Sequence, residues 1–308
     1  MRNATLKQMR CLAAVIRTGS VTGAAAALNV TPPAITAQVK SLEELAGAPL
    51  VERVGDRFRA TPAGAEIDET LARIEALLGE CGDALAEIRS AGAGKVSLGV
   101  VSTARYFAPR AIAAFRAERP GVRVNLMVGN REETIAALRG YEIDIALMGR
   151  PPGDFAVEAT RIGAHPLVMI APPGHRLAGR RDLVPADLAG ESFLVREAGS
   201  GTRAAFETFM IDAGVDRPLD VAELRSNETI KQSVMAGLGI AFISGHTVAS
   251  ELDARRLVLL NVAGLPVARA WYVVRRSDKR LLPAAIALRD FWLERGAGFL
   301  PRLAGIAA

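Results

Sequence analysis

Along the first sixty residues apolar side chains recur three or four apart in three short runs separated by turn residues. Leu6, Met9, Leu12, Ala13 and Ile16 give the first run one buried stripe; Ala24, Ala25 and Leu28 mark a second; Ile35, Val39 and Leu42 mark a third. Asn29-Val30 turns the chain before the third run. Thr31 reads as its N-cap, and Pro32 at the first helical position loses only an amide that would be unpaired anyway. With that inward face set, Pro33, Ala37 and Lys40 rotate outward, flanked by Ala34, Thr36 and Ser41. Leu50 to Arg59 then reads as two short strands turning at Val54-Gly55-Asp56-Arg57.

These elements describe a winged helix-turn-helix, with the helix-turn-helix at 21–40 and the unit at 1–61. The outward face of the third helix is small and basic, which suits close approach to double-stranded DNA, with Thr31, Pro33, Thr36, Ala37 and Lys40 as its candidate contacts. In the wing, Arg53, Arg57 and Arg59 can reach phosphates or a minor groove. Up to residue 61 basic side chains outnumber acidic ones by four, which favours DNA over the alternative of a helical hairpin used only for packing.

Thr61-Pro62 opens a longer pattern. Ile67, Leu71, Ile74, Leu78, Cys81, Leu85 and Ile88 alternate spacings of four and three, the signature of a helix pair, so residues 62–90 read as a linker and dimerisation helix of about 29 residues, roughly 43 Å long. Acids exceed bases there by five, an unsuitable face for DNA. The alternative is that the stripe packs on its own chain. Ala91-Gly92-Ala93-Gly94 marks a flexible boundary before a third region, 91–308.

Beyond it, strand-like and helix-like stretches alternate: Val96 to Val101, a helix ending near Glu118, Val122 to Val128, a helix from Arg131 to Arg139, and Ile143 to Met148. Strands at 167–170, 193–195, 240–243 and 267–274 interleave with helices near 204–213, 229–236 and 281–294, which fits two small α/β lobes in a chain that is α/β overall. Ligands of such sheets bind at strand carboxyl ends, beside helix N-termini. The polar junctions there are Ser102-Thr103, Gly129-Asn130, Gly149-Arg150, the Gly199 to Arg203 loop, and Ser226 to Thr229. Each can be a simple helix cap, but five at corresponding places, with Arg150 and Arg203 able to grip carboxylate or phosphate, read as a small-anion site. Its candidate residues are Ser102, Thr103, Asn130, Gly149, Arg150, Ser200, Thr202, Arg203, Asn227 and Thr229.

Composition narrows the classes. At 308 residues the chain has room for two or three domains, and a net charge of +5 with a pI near 9.6 is compatible with a polyanionic partner. Cys11 and Cys81 lie on the apolar stripes of separate helices and read as core residues. His165, His175 and His246 stand apart, with His165 and His175 expected at the surface or at strand ends. No Gly-x-Ser-x-Gly elbow and no metal-ligand spacing occur, so the expectation is a non-enzyme without metal or cofactor. Met1 to Thr5 leads straight into an amphipathic helix and no apolar run approaches a membrane span, which points to the cytoplasm.

The stretch from Thr31 to Glu43, the wing ending in Ala60-Thr61-Pro62-Ala63-Gly64, and the lobes behind it resemble LysR-type transcriptional regulators over nearly the whole chain. Gly99 to Pro109, Val128 to Glu133 and Met148 to Pro152 resemble the regulators of Calvin-cycle (RuBisCO) operons. The resemblance implies a periplasmic-binding-protein-like effector domain, with one lobe at about 95–164 and 269–308 and the other at about 165–268. It also implies a homodimer assembling into a homotetramer on promoter half-sites, and a phosphorylated sugar or acid, or NADPH, as effector. Thr36 matches a DNA-contacting position, while Ser102, Asn130, Arg150 and 199–203 match effector positions. Pro32 and Ala37 stand where such proteins often carry Gln and Arg, so two common base-reading side chains are missing. Two other readings are a regulator of another pathway sensing an aromatic or amino acid, and a cytoplasmic solute-binding module.

Overall fold

The computed structural model describes residues 1–89, 94–215 and 220–303, and divides into two compact units, Met1–Gly82 and Asp83–Ala308. The first holds α1 (Leu6–Thr18), α2 (Val21–Leu28), α3 (Pro32–Ala46), β1 (Val51–Val54), β2 (Arg57–Ala60) and the start of α4 (Pro62–Arg89). Thr5 and Gln8 form a capping box for α1, Ser20 caps α2, and Asn29 takes the left-handed conformation (φ 53°) that makes the expected turn. Thr31 precedes α3 in extended conformation, yet its side chain makes no capping bond. The reason is local: Pro32 and Pro33 have no N–H to offer, and the Ala34 N–H is already taken by the Thr31 carbonyl at 3.0 Å.

Leu12, Ala24, Ile35, Leu42 and Leu50 are completely buried and bring the three helices together. Two polar ties fix α3: Gln8 Nε2 donates to Ser41 Oγ (3.0 Å), and Glu43 Oε1 accepts from the Leu50 N–H at the root of the wing (2.8 Å). Strands β1 and β2 pair antiparallel from Val51↔Ala60 to Val54↔Arg57.

The apolar seam of α4 divides between two uses. Ile67 and Leu71 are buried in the helix-turn-helix core and Ile74 packs against it, whereas Leu78, Leu85 and Cys81 are exposed in the single chain. Cys11 is a core residue as expected, and Cys81 is not, because that part of α4 has passed beyond the helices it could pack on. The Ile88 side chain and the 91–93 boundary lie outside the described residues.

The second unit begins with β3 (Lys95–Val101), α5 (Ala108–Glu118), β4 (Arg123–Gly129), α6 (Arg131–Arg139) and β5 (Ile145–Met148). It continues through β6 (Val157–Ala171), β7 (Ser192–Arg196), α7 (Gly201–Asp212), β8 (Asp220–Leu224), α8 (Asn227–Met235) and β9 (Ala241–Ser244). It closes with α9 (Ala249–Asp253), β10 (Val258–Leu259), β11 (Val267–Arg276) and α10 (Pro283–Arg295). Parallel β4-β3-β5 is extended by antiparallel β11 and β6, and β6 in turn pairs with β9 and β10. A core around Leu98, Phe107, Phe115, Leu138 and Trp292 fills one lobe; others around Phe193, Phe206 and Phe242, and around Ile230, Val234 and Ile243, fill the second. Strands β6 and β11 serve both lobes, since Ile162 and Trp271 join the first core while Leu167 and Val267 pack in the second. Their cross-strand pairs Arg269↔His165 and Ala268↔Pro166 mark the crossing.

Candidate functional site

On the N-terminal unit the outward face of α3 is as the periodicity required. Thr31, Pro33, Thr36, Ala37 and Lys40 are exposed, directly opposite buried Ile35, Val39 and Leu42. Thr36 Oγ1 donates to the Pro32 carbonyl (3.2 Å), which holds its methyl and oxygen in one orientation. In the wing, Arg53 Nε donates to the Gly55 carbonyl (3.1 Å) and its guanidinium lies 3.5 Å from Asp56. Arg57 folds back, Nη2 donating to the Thr18 carbonyl (3.5 Å), and it occupies the space beside Gly19 that a Cβ there would need. Small groups on the helix and arginines on the wing make a surface that duplex DNA can approach closely.

In the C-terminal unit the polar strand ends converge on a cavity of about 420 Å³ between the lobes. Ser102, Thr103 and Asn130 reach it from one side, Gly149 and Arg150 from the end of β5, and Ser200, Thr202 and Arg203 from the first turn of α7. Asn130 caps α6 through the Glu133 N–H (2.9 Å), and Ser200 caps α7 through the Thr202 N–H (3.3 Å). Four guanidiniums (Arg131, Arg150, Arg203 and Arg269) line the cavity against one carboxylate, Glu207.

Several expected site residues do other work. Arg203 is not free for an anion: its Nε donates to Glu207 (2.8 Å) and it also pairs with Glu223, contacts that raise its pKa further. Asn227 lies outside the cavity lining and is buried as the acceptor of Arg196 Nη1 (2.6 Å); Thr229 is exposed on α8, where its N–H is capped by Ser226. Arg196 itself is buried and engaged at all three nitrogens. It grips Glu197 through Nε and Nη2 (both 2.8 Å) and reaches Ser102 Oγ across the lobes (3.0 Å). That bond and Asn130 Nδ2 to Glu197 (3.4 Å) tie the lobes together beside the cavity.

His165 is not at a surface. It is buried mid-strand, stacked on Trp271 (4.0 Å between rings) with Nε2 2.9 Å from Ser244 Oγ, and it lines the cavity. Burial first, then neighbouring His246 and Arg269, push its pKa down to about 3, so the ring is neutral near pH 7. His175 is also largely enclosed, its Nε2 3.1 Å from Glu191. Sequence reasoning missed Arg131, His165 and Arg269 as cavity residues. Arg131 directly follows the helix cap Asn130 and was within reach of the same argument; His165 and Arg269 meet only as cross-strand partners, for which no local pattern exists.

With this geometry in view, two family models account for most of the chain: a bacterial regulatory helix-turn-helix of the lysR family matches residues 6–65, and a LysR substrate binding domain matches 89–297. The protein belongs to the LysR family of transcriptional regulators. It is 50% identical over 302 residues to the HTH-type transcriptional regulator CbbR of Xanthobacter flavus, covering 98% of this chain and 91% of that protein. It is 42% identical over 299 residues to the RuBisCO operon transcriptional regulator of Allochromatium vinosum, covering 97% and 99%. Among solved structures, the Synechocystis PCC6803 CcmR regulatory domain in complex with 2-PG is 33% identical with a TM-score of 0.61, over 65% of this chain and 96% of that one. Full-length CbnR complexed with its target DNA shares the fold at 22% identity and a TM-score of 0.62, over 95% of this chain and 100% of that one. This family membership removes the solute-binding module as a reading and makes residues 6–65 the helix-turn-helix region of a LysR regulator.

Proposed function

We propose that this LysR regulator controls a carbon-fixation (RuBisCO) operon, binding its promoter as a homodimer or a tetramer of two dimers and answering to a small phosphorylated or carboxylated metabolite held between the lobes. The carrying observation is the charge of the inter-lobe cavity, where Arg131, Arg150 and Arg269 have no carboxylate within ion-pairing distance among the described residues. The relatives' names support the target, and the 2-PG bound by the CcmR domain supports the ligand class. A cavity near 420 Å³ lies toward the small end of ligand sites, roughly 300–1,000 Å³, and favours a metabolite over a dinucleotide such as NADPH. An amino acid would need a partner for its ammonium, and the one lining carboxylate, Glu207, is already engaged by Arg203. The exposed Leu78, Cys81 and Leu85 of α4 supply the apolar strip for pairing two chains.

The test combines a ligand panel with footprinting on the intact protein. Phosphoglycolate, phosphoenolpyruvate, ribulose bisphosphate, NADPH, benzoate and amino acids are compared by thermal shift. A phosphorylated acid or sugar is expected to raise the melting temperature by roughly 5–10 °C at a hundredfold excess over Kd and to alter protection of the RuBisCO promoter. Stabilisation by benzoate or an amino acid alone refutes the ligand class; a promoter left unprotected at low salt refutes the target.

A further inference from the structure

The first residue of α6, Arg131, lines the inter-lobe cavity with no carboxylate at ion-pairing distance among the described residues. Among the described residues Arg131 Nε is buried without a hydrogen-bond partner, and Nη2 makes one long bond, 3.5 Å, to the Pro151 carbonyl. Desolvation and the like charge of Arg150 lower its pKa, and the carboxylate that opposes this, Asp154, is paired with Arg139. An unpaired guanidinium nitrogen in a protein interior costs free energy unless something is recovered elsewhere.

The same side chain spans the cleft. Its stem runs beside the first residue of α7, where a Cβ on Gly201 would come within 3.2 Å of Arg131 Cδ. One residue on, the Glu132 N–H donates to the Gly199 carbonyl (3.3 Å), so the 199–201 loop of one lobe is seated directly on the start of α6 in the other. Gly199 has a φ of +82°, a conformation that other residues rarely adopt, and a Cβ there would come within 3.2 Å of Glu132 Cβ.

We propose that Arg131 is the effector-reading residue of the cavity: it binds an oxyanion through the terminal Nη groups of its guanidinium, and because its stem lies against Gly201 it ties occupancy of the cavity to closure of the two lobes. This inference rests on the proposed anionic effector and assigns the residue that selects it. The ligand group is one with at least two oxygens on one centre, a phosphate or a carboxylate, which fits the planar edge of a guanidinium and not the point charge of an ammonium. The oxyanion offsets the repulsion between Arg131 and Arg150.

The experiment uses the full chain with 2-phosphoglycolate as probe, calorimetry for affinity and thermal melting without ligand as the control. Arg131→Lys keeps the charge but loses the two-nitrogen edge, and is expected to bind the probe at least tenfold more weakly. Arg131→Met keeps the stem and removes the stranded charge, so it is expected to abolish probe binding while the ligand-free melting temperature stays level or rises. Gly201→Ala, which does not touch the ligand group, is expected to weaken the probe severalfold by displacing the stem. Wild-type affinity in Arg131→Lys overturns the assignment. So does a lowered ligand-free melting temperature in Arg131→Met, which would mark Arg131 as a structural prop. If the wild-type protein binds 2-phosphoglycolate and every other phosphate or carboxylate in the panel no better than chloride, the anionic-effector reading fails and the inference with it, an outcome distinct from a ligand that binds regardless of residue 131.

Discussion

Single residues at the lobe crossing carry a pH dependence. His165 stacks on Trp271, and His246 Nδ1 accepts from Trp271 Nε1 at 3.0 Å. Burial lowers the pKa of His246 to about 4 and of His165 to about 3, from an ordinary value of 6.5. The unfolded chain takes up protons at both positions that the folded chain refuses, so their contribution is complete above pH 6.5 and is lost as pH falls toward 4. Between pH 7 and pH 5 each should cost about 2 kcal/mol of stability. Urea unfolding at the two pH values checks this, with His165→Phe, which preserves the ring stack, expected to remove about half of the loss. An equal loss in wild type and variant would assign the effect to other groups. That His165 is internal was not legible locally: a lone histidine between Ala164 and Pro166 gives no sign of its depth until β6 is seen to run for 15 residues through both lobes.

Among the elements, the helix-turn-helix was legible nearly to the residue, because a period of 3.6 with Ile35, Val39 and Leu42 inward leaves no choice about which side of α3 faces out. The start of α4 was legible for the same reason. Thr61 Oγ1 caps it through the Gly64 N–H (3.1 Å) while donating to the Pro49 carbonyl (2.8 Å). What no pattern revealed is how near Gly64 lies to the wing root: a Cβ there would sit 1.9 Å from the Leu50 carbonyl oxygen. Gly64→Ala must therefore push backbone from backbone, and is expected to destabilise the N-terminal unit by about 3 kcal/mol, the upper end for overpacking. Operator affinity should fall while binding of a ligand to the inter-lobe cavity persists; a variant with wild-type operator affinity and melting would contradict the close approach. Strand β8 escaped notice because Asp220, Val221, Ala222 and Glu223 are all exposed, so the stretch shows neither a buried run nor alternation.

At the level of the whole molecule the seam of α4 decides assembly. Leu78 and Leu85 are exposed in the single chain and belong to no core, so the double variant Leu78→Asp, Leu85→Asp should keep its fold. It should sediment as a monomer and bind paired half-sites at least tenfold more weakly, since two heads joined by a stalk gain from each other's attachment. An oligomer unchanged by the two substitutions would move the interface elsewhere. The seam also shows the boundary between the two kinds of information. Sequence by itself determined the winged head, the α/β alternation and the strand ends that line the cavity, because periodicity and caps are local properties of a chain that must bury one face and pair its amides. Eight of the ten expected cavity residues line it for that reason. Only the tertiary structure decided which charges remain available: whether an arginine meets a glutamate, as Arg203 does and Arg131 does not, depends on residues brought together from distant segments, and so does the burial that silences His165. Electrostatics acts through space and burial through the whole fold, and neither leaves a period along the chain.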